Sequence, residues 1–324
     1  MPVSLTSPDF RPPWPGDDGT YYAPPLPPRR ERYSRHVVLL LLTLAMTTLV
    51  GGYHFASFEA DFVRTPDVNF ASPVFYLRGL WYSLTVLAIL GCHEMGHYLY
   101  CLRYRVDATL PYFLPAPIVL TGTLGAFIRI RSRIPSRIAL FDIGIAGPIA
   151  GFVVAVPALV VGVALSRVVP LPEQFDGFEL GEPLLFRAVA WLLWGEVPEG
   201  SSLNLHPMAF AAWFGLLATA LNLFPIGQLD GGHIAYAVLG RRSTFVTLAM
   251  ILVAVGLAWT SSSWIVWTVL MVVMVFVMGP SHPPTLDDEV ELGPGRRLLA
   301  VVALLMLILC FTPAPIEPFV TGGM

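Results

Sequence analysis

Long apolar segments alternate with short polar, glycine-containing or proline-containing stretches along most of the chain. A helix that crosses a bilayer needs about 20 predominantly apolar residues, and six of the segments approach this length. Two more are shorter: 298–311 is short for a full crossing and also fits an interfacial position, and 183–194 is too short to span. The pattern predicts an all-α polytopic membrane protein with about six to seven transmembrane helices. The six spans are predicted at about 37–56, 74–102, 138–165, 208–224, 245–260 and 264–278.

The amino-acid composition agrees with a membrane protein. Hydrophobic residues make up 55% of the 324 residues, charged residues only 13%, and the mean hydropathy is +0.68. Because soluble domains carry about 25% charged residues, this composition excludes an ordinary water-soluble enzyme and a disordered chain. A net charge of −3 gives no reason to expect a nucleic-acid partner, and three cysteines exclude a disulfide-stabilised scaffold.

The chain divides into a tail and one membrane domain. Residues 1–36 contain nine prolines and no apolar run, so we expect a disordered Pro/Arg-rich cytoplasmic tail there. Residues 37–312 are the predicted membrane domain, and 313–324 are a short C-terminal tail.

The distribution of arginine predicts the orientation in the membrane. All 19 basic residues are arginines, and cytoplasmic loops of membrane proteins are enriched in basic residues. With the N-terminus in the cytoplasm, 15 arginines lie inside, only Arg64, Arg167 and Arg187 lie clearly outside, and Arg78 sits at the outer end of a span. The absence of lysine and the compact form favour a prokaryotic plasma membrane.

Ionisable residues interrupt the second predicted span. His93 and His97 are four residues apart and share one helical face, where both imidazoles can reach one metal ion. Glu94 follows His93 and is placed to act on water at that metal. The structural alternative is a polar cluster that holds helices together by hydrogen bonds. A site is favoured because ionisable residues in a span are costly and by default functional.

A catalytic zinc usually takes three protein ligands, so a third ligand must come from elsewhere in the chain. The candidates are Asp142, His206, Asp230 and His233. By alternation of the spans, both aspartates lie on the side of the histidines, and His206 lies on the outer side. Asp230 is favoured because helix-breaking neighbours let its carboxylate turn back into the bundle. Asp142 is expected to cap a helix or to form hydrogen bonds inside the bundle. His233 is a candidate for a residue that contacts a metal ligand without binding the metal itself. These helix breakers are Pro225, Gly227, Gly231 and Gly232.

Several glycines lie in the second and third predicted spans. They fit close helix packing around a polar access path, or equally plain packing without such a path. They are Gly91, Gly96, Gly144, Gly147 and Gly151.

Three motifs occur in order on three successive hydrophobic segments, and together they resemble the site-2 protease family of intramembrane zinc metalloproteases. The resemblance covers about 75–240, and it implies a transmembrane zinc metalloprotease domain over 37–312 with its catalytic core at 75–240. The motifs are His93-Glu94-Met95-Gly96-His97, Gly144-Ile145-Ala146-Gly147-Pro148, and Asn222-Leu223-Phe224-Pro225 followed by Leu229-Asp230-Gly231.

The resemblance implies a role for each polar residue of these motifs. His93, His97 and Asp230 are the implied ligands of one Zn²⁺, Glu94 is the implied catalytic glutamate, and Asn222 is implied to assist at the substrate carbonyl. The implied partners are transmembrane protein substrates, cleaved within or near a membrane helix, and membrane lipid. The active site is expected toward the cytoplasmic side, and the sequence leaves the oligomeric state open.

The segment 110–133 matches the position of a membrane-associated β-hairpin in the family. Its β-branched and aromatic residues, with glycines and prolines between them, favour short strands and tight turns over a helix. We expect these strands to hold an unwound substrate by adding it as a further strand. The substrate-binding candidates are Gly122, Gly125, Phe127 and Ile128.

Two other functions can use the same metal site: a non-proteolytic membrane scaffold and a metal-ion carrier. Glu94 argues against a scaffold, which has no need of a base at that position. The lack of an internal repeat and of paired broken helices argues against a carrier. Unlike many family members, this chain has an outer loop, 166–206, that is too short for a PDZ domain, and we expect no C-terminal nucleotide-sensing domain.

Overall fold

The computed structural model describes residues 32–62, 65–173, 176–280 and 282–320. Most of the predicted tail, 1–36, lies outside these residues. The described part of the chain is mainly helical, as the apolar pattern predicted. Its helices are α1 (Tyr33–Ala60), α2 (Pro73–Arg103), α3 (Arg137–Leu165), α4 (Leu184–Trp194), α5 (Pro207–Leu223), α6 (Asp230–Leu239), α7 (Ser243–Thr260), α8 (Ser263–Met278) and α9 (Pro294–Cys310).

Four helical segments are long and apolar enough to cross a membrane. They are α1, α2, α3 and the 31-residue stretch Asp230–Thr260, which comprises α6, a 3₁₀ turn and α7. The helices α5 and α8 are apolar but shorter, with 17 and 16 residues. Side chains such as Trp259 and Phe276 are largely exposed, as expected of surfaces that face lipid. The chain is therefore a multi-pass membrane protein.

The core lies where α2, α3 and α5 meet. Val86 and Ile89 of α2 pack with Leu159 of α3 and with Trp213 and Leu216 of α5, and all five are almost fully buried. Most of α5 is buried in this way, so this helix is surrounded by protein. A central helix of this kind holds any polar group that faces it away from lipid.

Small residues allow α2 and α3 to approach closely. A Cβ atom added to Gly96 would lie 2.5 Å from the carbonyl oxygen of Ala146, closer than any side chain allows. Gly96 thus lets the backbone of α3 lie directly against the helix that carries His93 and His97. The close packing predicted for this glycine set is confirmed for four of its members, where a Cβ atom would lie 3.1 Å or less from a neighbouring helix: Gly96, Gly144, Gly147 and Gly151.

Three two-stranded antiparallel sheets complete the described structure. The predicted hairpin is confirmed by β1 and β2, which pair in the register Tyr112↔Phe127. The other two sheets were not predicted, and one of them pairs a strand within the expected C-terminal tail, Ile316–Val320, with the outer loop. The strands are β1 (Tyr112–Pro115), β2 (Thr123–Phe127), β3 (Arg167–Pro170), β4 (Asp176–Leu180), β5 (Ser201–Asn204) and β6 (Ile316–Val320).

An ion pair ties the start of α9 to the start of α3. The Nε and Nη2 atoms of Arg296 each donate a 2.8 Å hydrogen bond to the carboxylate of Asp142, and the hydroxyl of Tyr104 donates to the same carboxylate. The Asp142 side chain is only 12% exposed. Asp142 thus hydrogen-bonds inside the bundle, as the sequence predicted, and its partner is 154 residues away.

We expect Asp142→Asn to lower the free energy of unfolding by about 2 kcal/mol, because it leaves Arg296 half-buried without its charged partner. Glu291→Gln is the matched control: it breaks the exposed pair of Glu291 with Arg297 and should cost less than about 0.5 kcal/mol. Reversible denaturation in mixed micelles measures both values. Equal losses in the two variants would contradict a structural role for the Asp142 pair.

Candidate metal centre

Helix α2 presents three polar side chains to the interior of the bundle. The helix runs without a break from Pro73 to Arg103, so His93 and His97 project from one face, one turn apart. Their Nε2 atoms lie 3.2 Å from each other. His93, Glu94 and His97 are all buried, which requires that their polar atoms find partners within the protein.

Asp230 reaches the histidines from the break between α5 and α6. Helix α5 ends at Leu223, and Gly227 adopts a φ of +53° in the turn that follows. A Cβ atom on Gly231 would lie 2.0 Å from the carbonyl oxygen of Leu223, so only glycine fits this tight return. The predicted break therefore places Asp230 as the first residue of α6, with its carboxylate directed at His93 and His97.

The three side chains form a compact donor group. Oδ2 of Asp230 lies 3.2 Å from Nε2 of His93 and 3.3 Å from Nε2 of His97. With the 3.2 Å separation of the two nitrogens, the three atoms make a nearly equilateral triangle. A point equidistant from them lies about 1.9 Å from each, close to the 2.0–2.1 Å of Zn–N and Zn–O bonds. Two imidazoles and one carboxylate, with a side left open, are also a typical donor set for catalytic zinc.

The backbone of α3 orients one of these imidazoles. Nδ1 of His97 donates a 2.7 Å hydrogen bond to the carbonyl oxygen of Ile143, so its Nε2 atom carries the lone pair that a metal requires. A Cβ atom added to Gly147 would lie 2.1 Å from the same Nε2 atom. Helix α3 thus fixes the position of His97 in two ways: Ile143, just before the motif, supplies the hydrogen bond, and Gly147 of the motif leaves the space.

Glu94 and Asn222 lie beside this group. Oε1 of Glu94 is 4.0 Å from Nε2 of His93, and the backbone N–H of Ile128 donates to the Glu94 carboxylate. Nδ2 of Asn222 is 3.3 Å from the same Nε2 atom. Glu94 is therefore near the donor group without being one of its three members.

A cavity of about 200 Å³ opens next to these side chains. His93, Glu94 and Asn222 form its polar wall, strand β2 contributes Leu124, Gly125 and Ala126, and apolar residues of α8 close the other side. The hairpin predicted from the family resemblance thus lies directly beside the candidate metal ligands.

The four substrate-binding candidates occupy different places in the hairpin. Gly125 lines the cavity, and Ile128 contributes its backbone N–H to Glu94. Gly122 has a φ of +68° and packs against Met46 and Thr47 of α1. Phe127 stacks on the ring of Tyr112, with centroids 5.4 Å apart. Only part of this set therefore faces the candidate site.

The other candidates for a third ligand have different surroundings. His206 caps the start of α5 by accepting a hydrogen bond from the N–H of Met208, and the rings of Phe55, Phe58 and Trp81 surround it. Burial, assisted by the charge of Arg167, lowers the pKa of His206 to about 4.

His233 and Asp142 also have partners outside the donor group. His233 hydrogen-bonds His282 at 2.7 Å, and Asp142 is engaged by Arg296. Among the described residues, the group that could hold a metal consists of His93, His97 and Asp230.

Several contributors to the site were not predicted from the sequence. The carbonyl of Ile143 and the N–H of Ile128 are backbone groups, for which residue type carries no signal. Trp267 and Met271 of α8 also line the cavity. In the sequence they look the same as apolar residues that face lipid, so residue type gave no sign of this position.

A buried His-His-Asp group beside a glutamate, inside a bundle of membrane-length helices, defines a polytopic membrane protein with the site chemistry of a metallopeptidase. The model of peptidase family M50 matches residues 81–262, more than half of the chain. This chain belongs to that family, the site-2 protease family.

The chain is similar to several plant proteins. It is 30% identical over 269 residues to "Probable zinc metalloprotease EGY1, chloroplastic" of Arabidopsis thaliana, covering 79% of this chain and 46% of the relative. It is 32% identical over 246 residues to "Probable zinc metalloprotease EGY2, chloroplastic" of Oryza sativa subsp. indica, covering 74% of this chain and 44% of the relative. The chain thus spans less than half the length of these relatives. No solved structure gives a significant match.

Gly147→Ala tests the contact between α3 and His97. We expect the added methyl group to displace the imidazole and lower the affinity for added zinc by about 10–100-fold, the range for disturbed ligand orientation. Gly256→Ala in α7 is the control, because a Cβ atom there meets nothing within 4 Å. Competition with a zinc-binding dye measures the affinity. Unchanged zinc affinity in folded Gly147→Ala protein would contradict this role.

Proposed function

We propose that this chain is an intramembrane zinc metalloprotease that hydrolyses peptide bonds within or near transmembrane helices of other membrane proteins. The observation that carries the proposal is the triangle of His93, His97 and Asp230 donor atoms, buried in a membrane bundle and flanked by Glu94. Membership of peptidase family M50 supports the same activity.

His93, His97 and Asp230 are the proposed ligands of one Zn²⁺. Their spacing fits the ion, and the bond of His97 to the Ile143 carbonyl leaves the correct nitrogen free. When bound, zinc supplies Lewis-acid polarisation of the substrate carbonyl and a lowered pKa for water, to about 7.

Glu94 is the proposed general base and acid. Its carboxylate is buried and lies 4.0 Å from Nε2 of His93, so a water between the donor group and the cavity is within its reach. Glu94 takes the proton from this attacking water and passes it to the amide nitrogen that leaves when the peptide bond breaks.

Asn222 is the proposed hydrogen-bond donor to the substrate. Asn222 lines the cavity, and its Nδ2 atom is 3.3 Å from Nε2 of His93, near the position proposed for the carbonyl oxygen on which negative charge develops during attack. A donor placed in advance at that position stabilises the transition state more than the substrate.

Strand β2 is the proposed docking element for the substrate. A helical substrate has its carbonyls engaged in internal hydrogen bonds, so it must unwind before attack. Among the described strands, β2 pairs only with β1, and its residues Leu124, Gly125 and Ala126 border the cavity. An unwound segment that pairs with the other edge of β2 lies beside Glu94, and this supports roles for Gly125 and Ile128, with Gly122 and Phe127 shaping the hairpin.

The predicted orientation completes the proposal. The arginine distribution supports an N-terminus in the cytoplasm and a site toward the cytoplasmic side. A plasma membrane and a prokaryotic source stay predictions from the sequence, and the relatives named above are chloroplast proteins. The buried Glu94 next to the donor group favours hydrolysis over a metal-holding scaffold or an ion carrier.

Glu94→Gln tests the proposed chemistry. We expect cleavage of a co-expressed single-pass membrane protein to fall by about 10²–10⁴-fold, because the amide cannot accept the proton of water. Zinc content should stay at the level of the unmodified protein, since Glu94 does not belong to the ligand triangle. Immunoblotting of the substrate fragments measures cleavage, and elemental analysis measures zinc. Cleavage by neither protein would favour the scaffold or the carrier.

Asp230→Asn tests the third ligand. We expect this variant to lose most of its zinc, because a neutral amide is a much weaker ligand than a carboxylate. Asp142→Asn is the matched control: it removes a carboxylate of similar burial on α3 and should keep the zinc. Elemental analysis of the folded fraction of each variant gives the answer. Loss of zinc in the control alone would overturn the ligand assignment.

A further inference from the structure

A second cavity lies between α2, α3 and α9 and takes no part in the proposed reaction. Its volume is about 820 Å³. Apolar side chains form its body: Leu99 of α2, Ile145 and Ile149 of α3, and Leu299 of α9. Leu99 and Leu299 are also exposed on the outer surface of the bundle, so the cavity is open to the region that lipid occupies.

One end of this cavity is polar and positively charged. The residues that line this end are Tyr100, Arg103, Asp142 and Arg296. Asp142 is paired with Arg296 and therefore neutralises one of the two guanidinium groups. Arg103 is exposed, and no carboxylate pairs with it in the part of the chain that the structure describes. One net positive charge is thus left at this end.

The charged end coincides with the expected membrane surface. Arg103 is the last residue of α2, and Arg296 lies in the first turn of α9. Both arginines belong to the group predicted on the cytoplasmic side. Basic pockets between membrane helices at that level bind anionic lipid headgroups, and long apolar grooves next to them accept acyl chains.

We propose that this cavity is a binding site for an acidic phospholipid. The phosphate is held between Arg103 and Arg296, and an acyl chain lies along Leu99, Ile149 and Leu299. A zwitterionic lipid fits less well, because its ammonium group is brought close to the unpaired charge of Arg103. The proposal stands independently of the hydrolytic activity.

The position of the cavity connects the lipid to the metal centre. Gly96 and Ala146 form part of its wall, and they are also the contact pair that joins α2 to α3. The next residues in each motif are His97 and Gly147. A bound lipid therefore packs against the helix pair that holds one proposed zinc ligand in place.

Native mass spectrometry of the full-length protein in detergent tests the proposal. The probes are dioleoyl phosphatidylglycerol and dioleoyl phosphatidylcholine, each titrated onto delipidated protein. We expect phosphatidylglycerol to bind about tenfold more tightly than phosphatidylcholine. The Arg103→Gln variant should bind phosphatidylglycerol about tenfold more weakly than the unmodified protein does. Arg242→Gln, at an exposed arginine of the same predicted side, should behave like the unmodified protein. Equal binding of the two lipids, or an unaffected Arg103→Gln variant, would overturn the proposal.

Two further experiments distinguish a bound lipid from other occupants of the cavity. Soluble glycerophosphoglycerol should compete poorly, because it lacks the acyl chains; equal competition would mean a site for free phosphate esters and overturn the lipid assignment. Ala150→Trp fills the apolar body of the cavity and should abolish the preference for phosphatidylglycerol. Persistence of that preference in the folded Ala150→Trp protein would place the lipid elsewhere. A thermal melt of each variant establishes that it is folded.

Discussion

The need to satisfy buried polar groups governs this structure. His93, His97 and Asp230 lie inside a bundle whose outer surface is apolar, and an isolated charge or imidazole there would be costly. Their polar atoms act as partners for one another, with the two Nε2 atoms and the Asp230 Oδ2 atom 3.2–3.3 Å apart. The same geometry fits a zinc ion. The metal site and the stability of the interior therefore depend on the same contacts.

That convergence requires unusually close backbone packing. Gly96 and Gly147 let α3 lie against α2, so the Ile143 carbonyl can accept the hydrogen bond of His97. Gly231 allows the chain to turn sharply after α5 and start α6 with Asp230. In lipid, where helices gain little from excluding water, small residues of this kind provide the contact area that holds helices together.

Peptide hydrolysis within a membrane needs water, an unwound substrate and a base in one place. The cavity beside Glu94 is bordered by strand β2, so in the proposed reaction an extended segment finds a hydrogen-bonding partner next to Glu94. The second cavity is lined by other residues of α2 and α3, and in the proposal above it gives an acidic lipid a direct contact with the helices that carry the site. The two proposals thus place substrate and lipid at different parts of the same helix pair.

Local patterns in the sequence predicted the membrane helices and the shared helical face of His93 and His97, and they favoured Asp230 over Asp142; the roles of these residues and the position of the hairpin came from the family resemblance. Apolar length, the four-residue spacing of His93 and His97, and the glycines around Asp230 all act over one or two helical turns. Tertiary structure alone decided the pairing of Asp142 with Arg296, the bond from His97 to the Ile143 carbonyl, and the strand within the expected C-terminal tail. Each of these contacts joins groups far apart in the chain, and two of them use backbone atoms that every residue type shares. Residue type and spacing therefore carry no signal for them until the helices have packed.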